Sequence, residues 1–298
     1  MAFNWPTFRT RALTALVFVA VMLTGLLWNH WSFFILFSVI HFGCWYEYLK
    51  LTEKIQQTTF HRYYYLGFML IGYGIMLAFC NDAFSINGYS FRNNFAFPVS
   101  LAGFILLIVG IFLQSKLNVK AFANAGLGLL YISLSWGLMI SLLMYRIALH
   151  EQGTLGDVLV FSTPFYPILI IISIWINDTM AYIVGSFIGK TPLSSISPKK
   201  TREGTIGGII LSVAVVSLLV WTYLSRNSYK LPFYHWALIP LIASVTGTFG
   251  DLLESKLKRM AGVKDSGNIM PGHGGFLDRF DSLLLATPFV WLYVYLFL

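Results

Sequence analysis

Residues 251–282 read DLLESKLKRMAGVKDSGNIMPGHGGFLDRFDS, and the reading of this stretch decides that of the whole chain. It holds five of the twelve acidic residues: Asp251, Glu254, Asp265, Asp278 and Asp281. Lys256, Lys258, Arg259, Lys264 and Arg279 run among them, and His273 is flanked by Gly272, Gly274 and Gly275. Carboxylates for a divalent metal, cations for phosphate and glycines for close backbone approach are what a phosphoryl-group site requires. The sequence around this polar island is apolar, so the rest of the chain is expected to be its membrane-embedded support.

The chain is 57% hydrophobic and only 11% charged, against about 25% charged in soluble proteins. Its mean hydropathy is +0.72. Nine Trp, 16 Tyr and 26 Phe suit two interfacial aromatic belts. The apolar runs are too long for barrel strands of ~10 residues, so the fold class is an all-α polytopic membrane protein. About nine transmembrane helices are expected, over 12–29, 31–49, 63–80, 96–115, 121–145, 160–189, 205–225, 233–252 and 281–298. The first two form a tight hairpin joined at His30, and a short amphipathic segment with Trp5 and Pro6 is expected to lie on the membrane surface. No small-residue cleavage site follows the first run, which reads as a retained span.

With the N-terminus inside, inner segments hold sixteen Lys and Arg and outer segments four. That asymmetry predicts a cytoplasmic N-terminus, an outside C-terminus and a cytoplasm-facing polar stretch. The net charge of +8 sits in short loops beside apolar spans, which fits anionic lipid rather than nucleic acid. Cys44 and Cys80 lie in apolar runs and offer neither a disulfide nor a zinc framework. The chain is expected to divide into an N-terminal transmembrane scaffold, 1–160, of about five helices, and a C-terminal catalytic transmembrane domain, 161–298, of about four helices with two cytoplasmic polar loops. Seven acids fall within 178–281 and five within 1–160, which is why the second part reads as the working one.

Asp178 lies inside the sixth apolar run, 11 residues before Gly189, or ~16 Å along a helix. A carboxylate at that depth costs at least ~2.5 kcal/mol unless it lines a wet cavity or finds a partner. The following loop, GKTPLSSISPKKTREGTIGG, mixes Lys190, Lys199, Lys200 and Arg202 with Ser194, Ser195, Ser197, Thr201 and Thr205. It can supply charge and donors to a polyphosphate, although its glycine spacing is not that of a Walker A loop. Asp251, Glu254 and Ser255 share a helix face at i, i+3, i+4, and Asp278 and Asp281 share another at i, i+3. Two carboxylates beside a glycine-rich turn can hold Mg2+, which takes one or two carboxylates plus water and substrate phosphate. Glu254 and Asp265 read as orienting lysines. His273 is open between metal ligand, acid–base group and phosphate contact, with the last preferred among glycines. The other five histidines, at interfaces or in apolar runs, read as structural.

Ser255-Lys256-Leu257-Lys258-Arg259, then Lys264-Asp265-Ser266-Gly267, then Pro271-Gly272-His273-Gly274-Gly275-Phe276-Leu277-Asp278-Arg279-Phe280-Asp281, closely resembles the signature of the phosphatidate cytidylyltransferases, the CDP-diacylglycerol synthases. Met270 is the one departure noted, standing where Leu, Ile or Phe is usual. Asn177-Asp178, Ala181-Tyr182, Gly185, Gly189-Lys190, Ser197 to Thr201, Glu203-Gly204 and Gly207-Gly208 also look like that family, so the resemblance covers about 175–282.

The resemblance implies a Mg2+-dependent reaction of CTP with phosphatidic acid to give CDP-diacylglycerol and pyrophosphate, in phospholipid biosynthesis. It also implies a homodimeric, multi-pass enzyme of the bacterial inner membrane among membrane lipids, with a second, monovalent cation such as K+ beside the Mg2+. The acids matching the family's metal centre are Asp251, Asp278 and Asp281, with Lys258 and Arg259 beside them as catalytic cations. Asp178, Lys199, Lys200, Thr201, Ser255, Lys264, His273, Gly274, Gly275 and Arg279 would contact substrate and its phosphates. Such chemistry needs no nucleophile from the protein: the lipid phosphate attacks the α-phosphorus, and the enzyme aligns reactants and offsets charge.

Two other readings compete. A CTP-dependent polyprenol or lipid kinase would release CDP instead of pyrophosphate. An ion-coupled transporter would use Asp178 as a midplane coupling site, but no internal repeat supports it. The DG…AR…G…D…D run of a CDP-alcohol phosphotransferase is not found.

Overall fold

The structure, a computed structural model, describes residues 5–114, 118–143, 147–148, 158–159, 164–226, 232–268 and 274–298. It is almost wholly helical. The helices are α1 (Trp5–Leu27), α2 (His30–Gln56), α3 (Arg62–Ala78), α4 (Ala96–Leu113), α5 (Val119–Gly126), α6 (Ser135–Leu143), α7 (Phe165–Ile188), α8 (Arg202–Arg226), α9 (Phe233–Met260) and α10 (Leu277–Phe297). Two minimal antiparallel pairs, Ser85–Ile86 with Tyr89–Ser90 and Ile147–Ala148 with Val158–Leu159, are the named strands among the described residues.

Seven helical segments among the described residues are long and apolar enough to cross a membrane, and α1 adds the shorter apolar stretch Leu13–Leu27. The protein is therefore a multi-pass, all-α membrane protein. Trp5 and Pro6 open α1, continuous with its apolar stretch, and proline at the first turn costs no hydrogen bond there. The hairpin joint is Trp28–Asn29, not His30. Asn29 Oδ1 accepts from the Ser32 amide at 2.8 Å and Ser32 Oγ from the Asn29 amide at 3.0 Å, a reciprocal cap that starts α2 at His30.

The chain forms two compact units, 1–144 with 257–280, and 145–256 with 281–298. In the first, α3 packs on α4 through glycines. A Cβ on Gly67 would stand 2.9 Å from the Leu107 amide nitrogen, and one on Gly103 2.6 Å from that of Ile71. Small residues let membrane helices gain contact by close backbone approach. Phe33, Phe37, Trp45 and Trp136 are fully buried beside them. The α5–α6 rod is interrupted by a π-helical segment, Leu129–Leu134. Within it, Ser133 Oγ accepts from Trp45 Nε1 at 2.8 Å and lies 3.0 Å from His41 Nε2.

In the second unit, α7 and α8 pack through Gly204 and Gly208, whose Cβ atoms would stand 2.6 Å from the Ala181 carbonyl and 2.7 Å from the Asn177 carbonyl. A buried polar ladder joins α7, α8 and α9. Ser212 Oγ donates to the Ser173 carbonyl at 2.8 Å, Ser244 Oγ to Ser212 Oγ at 3.1 Å, and Asn177 Nδ2 to Thr248 Oγ1 at 3.4 Å. A Cβ on Gly250 of α9 would stand 2.5 Å from the Asp281 carbonyl of α10, so these two helices also meet without an intervening side chain.

Candidate active site

In the second unit, the loop 189–201 is tied into a small hairpin. The Leu193 amide donates to the Lys200 carbonyl at 2.7 Å and the Arg202 amide to the Thr191 carbonyl at 2.9 Å, around a Pro192–Thr201 bridge. Glu203 closes its base, accepting from the Lys190 amide at 3.1 Å and from the Thr191 hydroxyl at 2.7 Å. Thr201 Oγ1 accepts from the Gly204 amide at 3.1 Å and so caps α8. This construction presents Lys199, Lys200 and Thr201 at the N-terminal end of α8, where the helix dipole also favours an anion.

These residues line a cavity of about 620 Å3, whose other wall is α7 with Asn177, Asp178, Tyr182, Gly185 and Ser186, and which Thr205 and Thr248 complete. Gly185 and Gly189 allow the closure, since a Cβ on either would meet Thr201 Oγ1, at 2.9 and 2.6 Å.

Lys200 Nζ lies 2.6 Å from Asp251 Oδ2. Burial works against charge on Lys200, but Asp251 beside it, with Asp178 and Asp281, outweighs burial and holds the ammonium above its ordinary value. Asp281 is 7% exposed, its Oδ1 accepting from the Ser282 amide at 2.6 Å, and Asn177 Nδ2 stands 3.5 Å from Asp178 Oδ1. Asp178, Asp251, Asp281 and Lys200, far apart in sequence, thus form one electrostatic cluster.

Three carboxylates around one ammonium are unbalanced when all are ionised, and like charges held together in a low dielectric are costly. Among the described residues no three of His, Cys, Asp or Glu already surround one point as a metal shell. The donor chemistry nevertheless fits Mg2+, which binds hard oxygens, needs only one or two carboxylates and keeps waters and substrate phosphates as further ligands. The Lys200 ammonium now offsets part of the charge on Asp251.

In the first unit, the other part of the polar stretch closes around Asp278. Its Oδ1 accepts from Lys258 Nζ at 2.6 Å, and its Oδ2 from the Ser266 amide at 2.9 Å, the Ser266 hydroxyl at 2.8 Å and the Gly275 amide at 2.8 Å. Gly274 takes φ of +81° there, and a Cβ on it would stand 2.6 Å from Asp278 Oδ2. Arg259 Nη1 donates to the Val263 carbonyl at 3.2 Å, which shapes the turn after α9. Lys264 and Asp265 on the loop and Arg279 on α10 are exposed, while Ser255 is half-buried. Glu254 is fully buried on α9. His273 lies outside the described residues.

Helices α9 and α10 contribute to both units, so Asp251, Ser255 and Asp281 fall in the second, and Lys258, Arg259, Lys264, Gly274, Gly275, Asp278 and Arg279 in the first. The sequence reading passed over Glu47, assigned to the scaffold as one acid among others. It is 2% exposed, and it accepts from the Ser266 hydroxyl at 2.7 Å and from the Phe276 and Leu277 amides at 2.9 and 2.8 Å. The available signal was an acid inside the second apolar run, between Tyr46 and Tyr48.

Fold and cavity together define a multi-pass helical membrane protein with a cation-lined pocket beside a carboxylate cluster. The chain belongs to the cytidylyltransferase family, whose family profile matches residues 9–297. It is similar to the phosphatidate cytidylyltransferase of Bacillus subtilis (strain 168), at 46% identity over 125 residues, 42% of this chain and 45% of that protein. The Synechocystis phosphatidate cytidylyltransferase is 46% identical over 131 residues (44% and 43% of the two chains), and that of Staphylococcus haemolyticus 48% over 117 (39% and 43%). Each match spans less than half the length of the curated relative.

Proposed function

We propose that the protein is a phosphatidate cytidylyltransferase: it joins CTP and phosphatidic acid into CDP-diacylglycerol and releases pyrophosphate, in phospholipid biosynthesis. The observation that carries this reading is the cavity of the second unit, where Lys199, Lys200 and Thr201 stand against the Asp178–Asp251–Asp281 cluster within membrane helices. A water-soluble nucleotide and an amphiphile require a polar site of this kind, set into apolar helices.

In this reading Lys199 and Lys200 bind phosphate oxygens of the substrates, and Thr201, Thr205 and the N-terminus of α8 add neutral donors. Their work is alignment: the lipid phosphate oxygen must approach the α-phosphorus in line with the departing pyrophosphate. Within the first unit, Lys258, Arg259, Lys264 and Arg279 would supply cations, and Gly274 and Gly275 close backbone approach, for phosphate. Asp251 and Asp281 would hold Mg2+, with Asp178 adding negative charge nearby. When bound, the metal supplies charge neutralisation of the phosphates and the leaving group. Asp278, which the family motif also assigns to the metal, is paired with Lys258 in the first unit.

The charge asymmetry supports an active site facing the cytoplasm of a bacterial inner membrane, and the family pattern supports a homodimer and a second, monovalent cation. The test uses purified protein with labelled CTP and phosphatidate, with and without Mg2+. CDP-lipid and pyrophosphate formed only with Mg2+ support the reading. Release of CDP with a phosphorylated lipid would replace it with a lipid kinase.

A further inference from the structure

Glu47 belongs to α2, yet none of its three hydrogen-bond partners, Ser266, Phe276 and Leu277, does: they lie 219 to 230 residues away in the chain. A carboxylate this deeply buried carries a desolvation cost that only well-formed hydrogen bonds offset. The bonds are well formed. Glu47 Oε1 accepts from the Phe276 amide, and Oε2 from the Leu277 amide and the Ser266 hydroxyl, all between 2.7 and 2.9 Å.

The glycines record the same fit. A Cβ on Gly275 or on Gly267 would fall on the Glu47 carboxylate, so both positions are kept bare by its presence. Ser266 hands the connection on: its amide binds Asp278, which holds Lys258, and its single hydroxyl proton lies within reach of both Glu47 Oε2 and Asp278 Oδ2, serving one at a time. The run Glu47–Ser266–Asp278–Lys258 is thus continuous.

A purely local structural role looks different in this chain. Glu53, six residues along the same helix, accepts from the Phe60 amide at 2.6 Å and from the Tyr65 hydroxyl at 2.7 Å, partners only 7 and 12 residues away. Glu53 caps its own hairpin, whereas Glu47 reaches the glycine-rich loop.

We infer that Glu47 is a positioning residue: its carboxylate braces Ser266 and the Phe276–Leu277 backbone from α2 and thereby sets Asp278 and Lys258 for phosphate chemistry. The catalytic part of this inference rests on the proposed cytidylyl transfer; the brace itself does not. Glu47→Gln keeps the size but removes the charge and turns one acceptor into a donor facing a backbone N–H, leaving that amide unpaired.

The experiment is hydrogen–deuterium exchange with turnover of CTP and phosphatidate on the purified full chain, comparing wild type, Glu47→Gln and Glu53→Gln. Glu47→Gln should speed exchange in the peptide holding Phe276 and Leu277, leave α3 and α4 protected as before, and lower kcat roughly tenfold or more with a smaller change in KM. Glu53→Gln should match the wild type in that peptide and in kcat. Wild-type exchange at 276–277 in Glu47→Gln, or equal loosening of α3 and α4, overturns the brace, and wild-type turnover overturns its catalytic role. If Glu47→Gln yields no folded protein, Ser266→Ala carries the test from the loop side: faster exchange at 276–277 supports the brace, and wild-type exchange with wild-type kcat overturns it. Loosening in Glu47→Gln alongside a wild type that makes no CDP-lipid would sink the proposed reaction and leave the brace standing.

Discussion

Lys200→Met separates the two roles assigned to that lysine, keeping most of its stem but removing the ammonium. At 2.6 Å from Asp251 and an effective dielectric of about 20, the pair gains roughly 6 kcal/mol in gross Coulomb energy. Side-chain exposures of 36% and 25%, with the cost of desolvating both groups, reduce the net loss of stability to about 1–2 kcal/mol. The more telling effect is on cation binding. Without the ammonium, Asp178, Asp251 and Asp281 present more negative charge, so Mg2+ should bind about tenfold more tightly, worth about 1.4 kcal/mol. Thermal unfolding in detergent, titrated with Mg2+, reads this directly, because a cation that binds the folded state raises its stability by mass action. Turnover should fall nonetheless, because the phosphate contact proposed for the lysine is removed. A half-saturating Mg2+ concentration that is unchanged or higher in Lys200→Met would refute the reasoning.

Other outcomes follow from the same geometry. The raised Lys200 value means that its ion-pair stabilisation is complete below the ordinary lysine range and lost only as pH climbs through the raised value. The stability difference between wild type and Lys200→Met should therefore narrow at strongly alkaline pH, above the ordinary lysine range, as thermal melts would show. Asp281→Asn should abolish turnover in the purified enzyme while its melting profile remains cooperative; near-normal activity would remove Asp281 from the metal assignment. Gly208→Ala places a Cβ 2.7 Å from the Asn177 carbonyl, so α7 and α8 must part, at about 1–3 kcal/mol, with weaker nucleotide binding as the cavity wall moves.

Much of the helical scaffold was legible because the bilayer imposes a length and a polarity on each segment. Apolar runs report where a helix is buried in lipid, not where it ends. Expected to stop near residue 49, α2 runs to Gln56 through Lys50, Glu53 and Lys54, and stops where Gln57 adopts a left-handed conformation, φ 48°. Likewise α8 begins at Arg202 because Thr201 caps it, and α10 at Leu277 within the polar stretch, both before their apolar runs. The π-helical break at 129–134 left no trace in a largely apolar run.

The site was legible wherever residues of one type clustered along the chain, as in 251–282 and 190–205. Its cross-connections were not. Nothing in the sequence joins Lys200 to Asp251, and Glu47 looked like one more acid near a span end until its partners more than two hundred residues away came into view. Helical periodicity shows which residues share a face; it does not show which faces meet.

The central claim is cytidylyl transfer to a lipid phosphate, and one measurement tests it most directly. Purified protein given α-labelled CTP, phosphatidic acid and Mg2+ should pass the label into a CDP-lipid and release one pyrophosphate per lipid formed. Label recovered in free CDP, or no transfer with a well-folded preparation, would contradict it.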